Sequence, residues 1–327
     1  MFNSVLGIDV SKHKLDVALL MNGRCFYATF DNLRTGFRKL VQWLNQHKAG
    51  QVHACLEATG MYGEAVAEFL HVSGHTVSVI NPSRIKAFAE SQMIRNKTDR
   101  SDARVIADFC LAQRPAKWSP PDPAMRDLRT LVRQLDDLKA MHQQERNRLV
   151  SGVSLPAALR TLRRHIDFLD REMKTVQAHI KAHVALHPHL KQLVALLMTI
   201  PGIGSKTACK LIAEIQDIDT FDSPKQLAAY AGVSPRIFVS GSSVHRKSRM
   251  SKKGNSLLRS ALFFPAIVAK HHNPVLRPFA DRLALAGKPP MAVTGAVMRK
   301  LLHIVFGVWK SGLPFDPALA HQSVLFS

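Results

Sequence analysis

Two carboxylates stand three residues apart in NKTDRSDARVIADF, which covers residues 96–109. Asp99 and Asp102 follow Thr98, a residue type that often caps the start of a helix. Side chains three apart on a helix face the same way, so the pair can meet one ligand. Acidic residues are also favoured at helix starts by the helix dipole alone. The pair by itself fits either explanation.

Two more carboxylates occur in segments predicted to be strands. Asp9 lies inside LGIDVS, a run suited to burial, where an unpaired charge is costly. Glu57 closes the strand in CLEATG, and α/β sheets usually bind ligands at strand ends. The four acids together offer hard oxygen ligands to Mg²⁺, with Mn²⁺ as the alternative ion. Two such ions about 3.5–4 Å apart can clamp the attacking and leaving oxygens of a phosphodiester. Other nearby acids are expected on solvated faces: Asp16, Glu64, Glu68 and Asp108.

The charge balance points to a polyanionic partner. The 327 residues include 45 Lys and Arg against 24 Asp and Glu, for a net charge of +21 and a pI near 10.3. Nucleic acid is the first candidate for such a basic globular chain. A membrane partner is not expected, because no segment pairs an apolar face with a Lys-rich one and ALFFPAIVA is too short to span a bilayer. The N-terminus lacks the layout of an export signal, and the four scattered cysteines indicate neither a disulfide framework nor a zinc site.

The first third of the chain has the pattern of a mixed sheet. Three consecutive strands are predicted within residues 5–30, and helix and strand then alternate. Helices are predicted over 34–47, 83–92 and 99–113. Four prolines between 115 and 123 mark a boundary. This order predicts a mixed α/β sheet, not a purely parallel one.

The remainder reads as helical. Two apolar series alternate spacings of three and four residues and are separated by SGVSLP: Leu128, Leu131, Leu135 and Leu138, then Leu159, Leu162, Ile166, Leu169, Met173, Val176 and Ile180. These heptad seams predict an antiparallel coiled-coil hairpin that closes on itself or on another subunit. Beyond residue 190 the pattern predicts helices with loops, including a basic, Ser-rich loop over 236–254. Apolar helices are predicted over 255–272 and 289–312.

A glycine-rich turn could contact DNA. IPGIGSKTACKLIAEI has the layout of a helix-hairpin-helix, in which Gly202 and Gly204 permit a tight turn and Ser205 or Lys206 opens the next helix. Free backbone N–H groups at such a helix start can hold a phosphate without reading sequence. The alternative is an ordinary turn between two helices.

The most basic window runs from Arg236 to Arg259, with seven Lys and Arg and no acid. Its cations are expected to contact phosphates: Arg246, Lys247, Arg249, Lys252 and Lys253. Ser240, Ser242 and Ser243 lie in the same window. A serine hydroxyl is a weak nucleophile until it is activated, so residue chemistry alone favours phosphate donors or turn formers.

The sequence segments LGIDVSKHKLDV, CLEATGMY, VINPSRIKAFA and RNKTDRSDA, in this order, resemble the RuvC-like DEDD domain of the IS110 group of bacterial insertion-sequence transposases. The resemblance covers essentially the whole chain. It implies an RNase H-like N-terminal fold whose metal-binding acids are Asp9, Glu57, Asp99 and Asp102. It also implies a catalytic serine in a C-terminal transposase domain, which the SG-S pattern maps onto Ser240, with Ser242 and Ser243 as the fallback. The chain departs from the pattern after SSV, where it has His-Arg-Lys and relatives commonly have Gly.

The resemblance implies three domains: a RuvC-like DEDD domain over 1–115, a coiled-coil hairpin over 116–188 and a mainly α transposase domain over 189–327. The implied activity is DNA recombination through a covalent serine–DNA intermediate, assisted by Mg²⁺. Implied partners are donor and target DNA, a non-coding guide (bridge) RNA, and further copies of the chain in a dimer or tetramer. The expected location is the bacterial cytoplasm, in association with the nucleoid. Two rival hypotheses are a RuvC-type junction endonuclease that uses water, and a non-catalytic nucleic-acid-binding module.

Overall fold

A computed structural model describes residues 4–58, 62–93, 98–240 and 244–319, and within these ranges the side chains of 237–240 and 244–248 are not described. The chain divides into two compact units, Met1–Pro120 and Pro121–Ser327. The dividing point falls among the prolines that follow the first α/β region. The three-domain division stays a prediction.

The first unit is built on a five-stranded sheet with the spatial order β3-β2-β1-β4-β5. Its strands are β1 (Ser4–Val10), β2 (Lys14–Met21), β3 (Arg24–Asp31), β4 (His53–Glu57) and β5 (Thr76–Ile80). The β1, β2 and β3 strands form an antiparallel meander, and β4 and β5 run parallel to β1. The predicted mixed α/β sheet is therefore confirmed.

Helices cover both faces of this sheet: α1 (Arg34–Gln46), α2 (Glu64–Val72), α3 (Pro82–Ser91) and α4 (Asp99–Gln113). Apolar residues of α1 and α2, among them Leu40 and Leu70, pack in one core with Leu6 and Ile8 of β1. The other face packs against α3 and α4. The strand period of two therefore separates the side chains of β1 and β4 between two cores.

The second unit begins with two long helices, α5 (Pro123–Val150) and α6 (Pro156–Leu186). They run antiparallel along one another, because His183 near the end of α6 bonds the carbonyl of Ala124 at 2.8 Å, and His165 lies 3.3 Å from Glu145 near the tip. The predicted hairpin is therefore present. At its base the apolar seam is buried in the unit's own core. A coiled-coil supercoil stays a prediction.

Six shorter helices follow among the described residues of this unit: α7 (Pro188–Met198), α8 (Ser205–Ile215), α9 (Pro224–Tyr230), α10 (Ser256–His272), α11 (Leu276–Leu285) and α12 (Pro290–Ser311). A 3-10 turn (Ile218–Thr220) lies between α8 and α9. The α12 helix is long and apolar enough to cross a membrane by length and composition, with a mean hydropathy of 1.4, but 61% of that window is buried inside the structure. Packing of this kind is typical of a core helix.

The basic, Ser-rich segment is not the loop that the sequence predicted. It forms a two-stranded antiparallel sheet, β6 (Pro235–Ser240) and β7 (Val244–Met250), which we call the serine hairpin. Ile, Phe and Val follow one another in PRIFVS and favour a strand, a signal that the high charge of the window obscured.

Candidate functional site

The strand-borne acids lie side by side on one face of the first unit's sheet. Gly7 pairs with Cys55 and Ile8 with Leu56 in the parallel register of β1 and β4, so Asp9 and Glu57 follow at the next step. Cys55 packs in the core under α4, and Glu57 is two residues further along the same strand. Because strand side chains alternate, both acids belong to the face that α4 covers. The structure therefore brings Asp9 and Glu57 together as the sequence predicted.

A third acid joins this row, and it was missed. Asp16 of β2 is directly opposite Asp9 in the antiparallel register and on the face of Ala18, which packs under α4. Its side chain is only 15% exposed and accepts a hydrogen bond of 2.6 Å from Thr29. The expectation of an ordinary solvated face for Asp16 is wrong. The signal was the alternation of KLDVALLM, which places Asp16 in register with Ala18; we call Asp16, Asp9 and Glu57 the acid row.

The α4 helix brings the other two acids to the same face. Its start is fixed by a capping box, in which Thr98 accepts from the backbone of Ser101 and the Ser101 hydroxyl accepts from the backbone of Thr98. Asp99 and Asp102 stand in this first turn. Asp99 and Asp102 can therefore stand at a helix start and still serve a ligand site, because Thr98 caps the helix.

A glycine on β1 sets the approach of α4. A Cβ atom at Gly7 would lie 2.1 Å from the carbonyl oxygen of Ala103 and 2.4 Å from the nitrogen of Ala107. The backbones of β1 and α4 therefore touch at this point, one residue beyond Asp102 on the helix and two before Asp9 on the strand. Any side chain at Gly7 would push the helix-borne acids away from the acid row.

The electrostatics show that all five carboxylates share one region. The pKa of Asp9 is raised to about 6, first by burial and then by the negative charges of Asp102, Asp99, Asp16 and Glu57. A lysine lies among these carboxylates: the Lys14 ammonium is 2.5 Å from Asp99 and 3.0 Å from Asp16. Hydrogen bonding from Lys14 lowers the pKa of Asp99.

These five carboxylates fit a hard divalent cation, because they offer oxygen ligands gathered around Asp9. Across residues 4–58, 62–93, 98–240 and 244–319, however, no three His, Cys, Asp or Glu side chains are close enough to hold a metal ion as they stand. Lys14 supplies the positive charge instead. A metal ion bound by Asp99 would replace Lys14 as the positive charge beside this carboxylate.

Three basic residues surround Asp99 and Asp102 in the sequence: Lys97, Arg100 and Arg104. The Arg104 guanidinium donates to Asp108 at 2.8 Å, and that of Arg100 lies 4.0 Å from the ring centre of Tyr27. Lys97 lies outside the described residues. The Arg104 guanidinium is therefore paired with an acid of its own helix.

In the second unit, the glycine-rich turn joins α7 to α8 as predicted. Gly202 has φ of +106° and packs closely on α10, where a Cβ would meet the side chain of Ala269 at 2.9 Å. Gly204, Ser205 and Lys206 are exposed at the start of α8, which no described side chain caps. The first backbone N–H groups of α8 therefore lack a side-chain cap among the described residues. A DNA contact here stays a prediction.

Ser240 ends β6 and pairs with Val244 of β7, so it lies at the turn end of the serine hairpin. Its side chain, and those of Arg246 and Lys247, are not described, and Ser242 and Ser243 lie outside the described residues. Arg249, Lys252 and Lys253 are exposed at the other end of the hairpin and in the segment that follows it. The roles of all these residues stay predictions.

A buried ionic clamp anchors the segment that leaves this hairpin. Glu214 of α8 is 3% exposed and accepts two hydrogen bonds of 3.0 Å from Arg133 and one of 2.8 Å from the Asn255 side chain. Burial acts to raise the pKa of Glu214, but the bonds from Arg133 and Asn255 outweigh it and hold the pKa below its usual value. Asn255 also caps α10 through Leu257 and Leu258. We call Arg133, Glu214 and Asn255 the clamp; the sequence did not single them out.

Backbone contacts complete the anchor. Ser251 donates to the carbonyl of Ser234, and Asn255 to that of Tyr230. Gly254 has φ of +136°, and a Cβ there would lie 2.2 Å from the same Tyr230 carbonyl. Both ends of the serine hairpin are thus held against the helical body of the second unit.

Two family models match the chain. One, described as "Transposase" (DEDD_Tnp_IS110), covers residues 6–155, which include all five acids. The second, described as "Transposase IS116/IS110/IS902 family", covers residues 194–281, which include the clamp residues Glu214 and Asn255 and the serine hairpin. The chain belongs to the IS110 family of transposases.

Similar proteins agree along nearly the full length of this transposase. The pilin gene-inverting proteins of Moraxella bovis and Moraxella lacunata are each 34% identical over 319 residues, covering 97% of this chain and 98% of theirs. The transposase for insertion sequence element IS1111A of Coxiella burnetii is 24% identical over 300 residues, covering 82% of this chain and 78% of its own. This transposase is therefore a DNA-recombining enzyme, and its DEDD domain is of a divalent-metal-dependent kind.

Proposed function

We propose that this transposase cuts and rejoins DNA through a covalent serine–DNA intermediate, with Mg²⁺ held by Asp9, Glu57, Asp99 and Asp102. The observation that carries the proposal is the convergence of strand and helix acids on Asp9, where α4 touches β1 at Gly7. Repulsion among neighbouring carboxylates destabilises a folded protein. Such groupings are concentrated at functional sites, where their charge has a use. Divalent ions, when bound, would polarise the scissile phosphate and neutralise its developing charge.

The residues of the site have distinct tasks. Asp9 and Glu57 are rigid donors on neighbouring central strands, and Asp99 and Asp102 close the site from the capped start of α4. Lys14 keeps Asp99 in place by ion pairing, and a divalent ion held by Asp99 would take the place of this lysine. Asp16 orients this lysine and adds negative charge next to Asp9.

Ser240 is the proposed nucleophile. Its Oγ attacks the phosphorus, an Oγ–P bond forms, the bond to the leaving 3′ oxygen breaks, and the serine proton passes to that oxygen to give a 3′-hydroxyl. A 3′-hydroxyl of the exchanged strand then attacks the phosphoserine and frees Ser240. The support is the family resemblance of the SG-S segment and the anchoring of the hairpin that carries it. The names of the two Moraxella relatives, which invert a pilin gene, agree with DNA strand exchange.

The finer assignments extend this proposal. The first unit is an RNase H-like, RuvC-like domain, the α5–α6 pair is a coiled coil that serves assembly into dimers or tetramers, and the turn at Gly202 and Gly204 is a helix-hairpin-helix. A structured bridge RNA pairs with donor and target DNA, and the protein reads backbone shape. The net charge of +21 supports contact with more than one nucleic-acid duplex. The protein acts in the bacterial cytoplasm.

Strand transfer and covalent trapping test the two halves separately. Ser240→Ala should abolish the protein–DNA adduct that survives denaturation, and Asp102→Asn should abolish both adduct and strand transfer. Ser242→Ala and Asp108→Asn are matched controls that should keep activity. An adduct with Ser240→Ala but not with Ser242→Ala would move the nucleophile to Ser242.

The first unit alone contains the complete acid set, which favours a second candidate, a RuvC-type endonuclease with water as nucleophile. That enzyme would cleave junctions in Mg²⁺ and leave no adduct in any variant. Mixing the Asp102→Asn and Ser240→Ala proteins tests whether one subunit can supply the acids and another the serine. Recovered strand transfer would show that acids and serine are supplied by different subunits.

A further inference from the structure

The outer end of the α5–α6 pair carries arginines but no acid. Residues 146–164 span the end of α5, the connection and the start of α6, and they contain five basic residues and neither Asp nor Glu. All five are exposed arginines, which we call the arginine tip: Arg146, Arg148, Arg160, Arg163 and Arg164. Unlike the basic window of the serine hairpin, this segment was not singled out from the sequence.

The arginine tip lies outside the core of the second unit. The structure describes every residue within 146–164, and none of them is buried. The buried apolar residues of the two helices nearest to the tip are Leu135 of α5 and Leu169 of α6. At the usual helical rise, the end of α5 at Val150 is about 20 Å further along the helix than Leu135. Core packing therefore does not explain these arginines, and their substitution should leave the fold intact.

An acid at the edge of the tip already has two partners. Glu145 accepts a hydrogen bond of 3.2 Å from Arg148 and lies 3.3 Å from a ring nitrogen of His165. Arg148 also stands in the last turn of α5, where the helix dipole favours a cation. The other four arginines form no ion pair with any residue that the structure describes: Arg146, Arg160, Arg163 and Arg164. Asp167, the next acid along α6, pairs with none of them, so their charge is uncompensated within the described structure.

The arginines at the start of α6 repel one another. Arg164 is four residues from Arg160 and Arg163 is three from it, so they are neighbours on the helix surface, with about 5–6 Å between Cβ atoms. Like charges at these spacings destabilise a helix, and the dipole favours acids, not cations, where a helix begins. Helix stability therefore does not explain this grouping. An anion bound by these side chains would reverse the sign of the interaction.

Both helices bring arginines to the same level of the tip. The contact of Glu145 with His165 sets α5 and α6 side by side, and Arg146 and Arg164 are the sequence neighbours of these two residues. Arginine binds phosphate oxygens through two parallel N–H donors. Arginines spread over two helices fit a row of backbone phosphates better than one small anion. DNA is the polyanion on which enzymes of this family act.

We propose that the arginine tip binds backbone phosphates of the DNA substrate. The inference goes beyond the proposed function, because it assigns a DNA contact to residues outside the acidic site, the serine hairpin and the glycine-rich turn. It uses the DNA substrate that family membership implies and does not depend on a serine intermediate. Contacts of this kind position the DNA on the α5–α6 pair without reading its sequence.

The test is DNA binding by the full chain, measured by fluorescence anisotropy of a labelled duplex at several salt concentrations. The double variant Arg146→Gln with Arg160→Gln removes one arginine from each helix. The slope of log K against log[salt] should fall by about two, since each lost phosphate contact contributes roughly 0.9, and the affinity should fall about tenfold. Lysine at both positions keeps the charge and should preserve the slope.

A matched control removes the same net charge elsewhere in the second unit. Lys139 and Lys310 are ion-paired with Asp136 and Asp219, so Lys139→Gln with Lys310→Gln should leave the slope unchanged. An equal loss in this control would overturn the proposal, because overall charge would then explain the result. Wild-type affinity and slope in the arginine double variant would overturn it as well. Urea unfolding of that variant should give the wild-type midpoint, since its substitutions are exposed.

A different role for the tip gives a different result. If the tip joined two copies of the chain through the exposed Val150 and Leu155, the arginine double variant would lower the molar mass in light scattering and keep the DNA slope, which would overturn the proposal. Weaker binding of a structured RNA with DNA binding intact would overturn it too. Absence of a covalent adduct in the wild type, by contrast, would refute the proposed function and leave the measured slopes as they are.

Discussion

The side-chain amide of Asn255 donates a 2.8 Å hydrogen bond to the carboxylate of Glu214, whose two oxygens also accept hydrogen bonds from Arg133. Asn255 begins α10 directly after the serine hairpin, and Glu214 and Arg133 belong to α8 and α5. One buried carboxylate therefore connects the segment that follows the hairpin to two helices. Since the Glu214 carboxylate is nearly fully buried, it depends on these hydrogen bonds, which are costly to break.

Removal of the clamp carboxylate should destabilise the second unit strongly. Glu214→Ala leaves Arg133 and Asn255 without their buried acceptor, and we expect a loss of about 3–5 kcal/mol in the free energy of unfolding. Urea unfolding measures it. Asp219→Ala, which breaks the exposed pair with Lys310, should cost less than about 1 kcal/mol. Equal losses in the two variants would contradict the assignment of a buried clamp.

The close approach of α4 to β1 should be intolerant of a methyl group. Gly7→Ala places a Cβ about 2 Å from the Ala103 carbonyl, so α4 must move, at an expected cost of about 2–3 kcal/mol. Activity should fall further than stability, because Asp99 and Asp102 move with the helix. Gly307→Ala is a control without a nearby atom, and it should be neutral or mildly stabilising. Full strand transfer by Gly7→Ala would show that the approach does not position the acids.

Asp16 should contribute to metal binding although it is not one of the four family acids. Asp16→Asn removes one negative charge beside Asp9 and one partner of Lys14, so we expect Mg²⁺ affinity to fall about tenfold. A Mg²⁺ titration followed by thermal unfolding measures this without DNA. The same change at Asp108, whose carboxylate pairs with Arg104, should leave the affinity unchanged. If Asp16→Asn and Asp108→Asn both leave the Mg²⁺ affinity unchanged, Asp16 does not contribute to the metal site.

Stability should fall in acid because of His303. Burial and the positive charges of Arg299, Lys300 and Lys225 lower the pKa of this residue to about 4. Below pH 6.5 the unfolded chain takes up a proton that the folded chain does not, so stability present at pH 7 is lost as the pH falls towards 4. The shift corresponds to about 3 kcal/mol at most.

The measurement is the free energy of unfolding in urea at pH 7 and at pH 4.5, for the wild type and for two variants. His303→Leu should reduce the difference between the two pH values, whatever its effect at pH 7. The exposed His179→Leu should not. An equal pH difference in His303→Leu and wild type would remove His303 as the cause.

Local patterns determined much of the first unit from the sequence. Alternating apolar residues predicted its strands, and the same period of two places Asp9 and Glu57 on one face. Thr98 marked the start of the α4 helix, and the motifs between Asp9 and Asp102 pointed to the family that the comparisons show. These properties depend on neighbours within one or two turns of chain, which is the range that periodicity and capping report.

The tertiary structure decided the partnerships. Asp16 joins the site because the β1–β2 register sets it opposite Asp9, and Lys14 meets Asp99 across 85 positions of sequence. Likewise, Glu214 meets Arg133 across 81 positions. A sequence pattern shows which face of a strand or helix a residue occupies, but not which distant face packs against it. Which faces pack together depends on how all the helices and strands of a unit fill its core, and only the tertiary structure shows this.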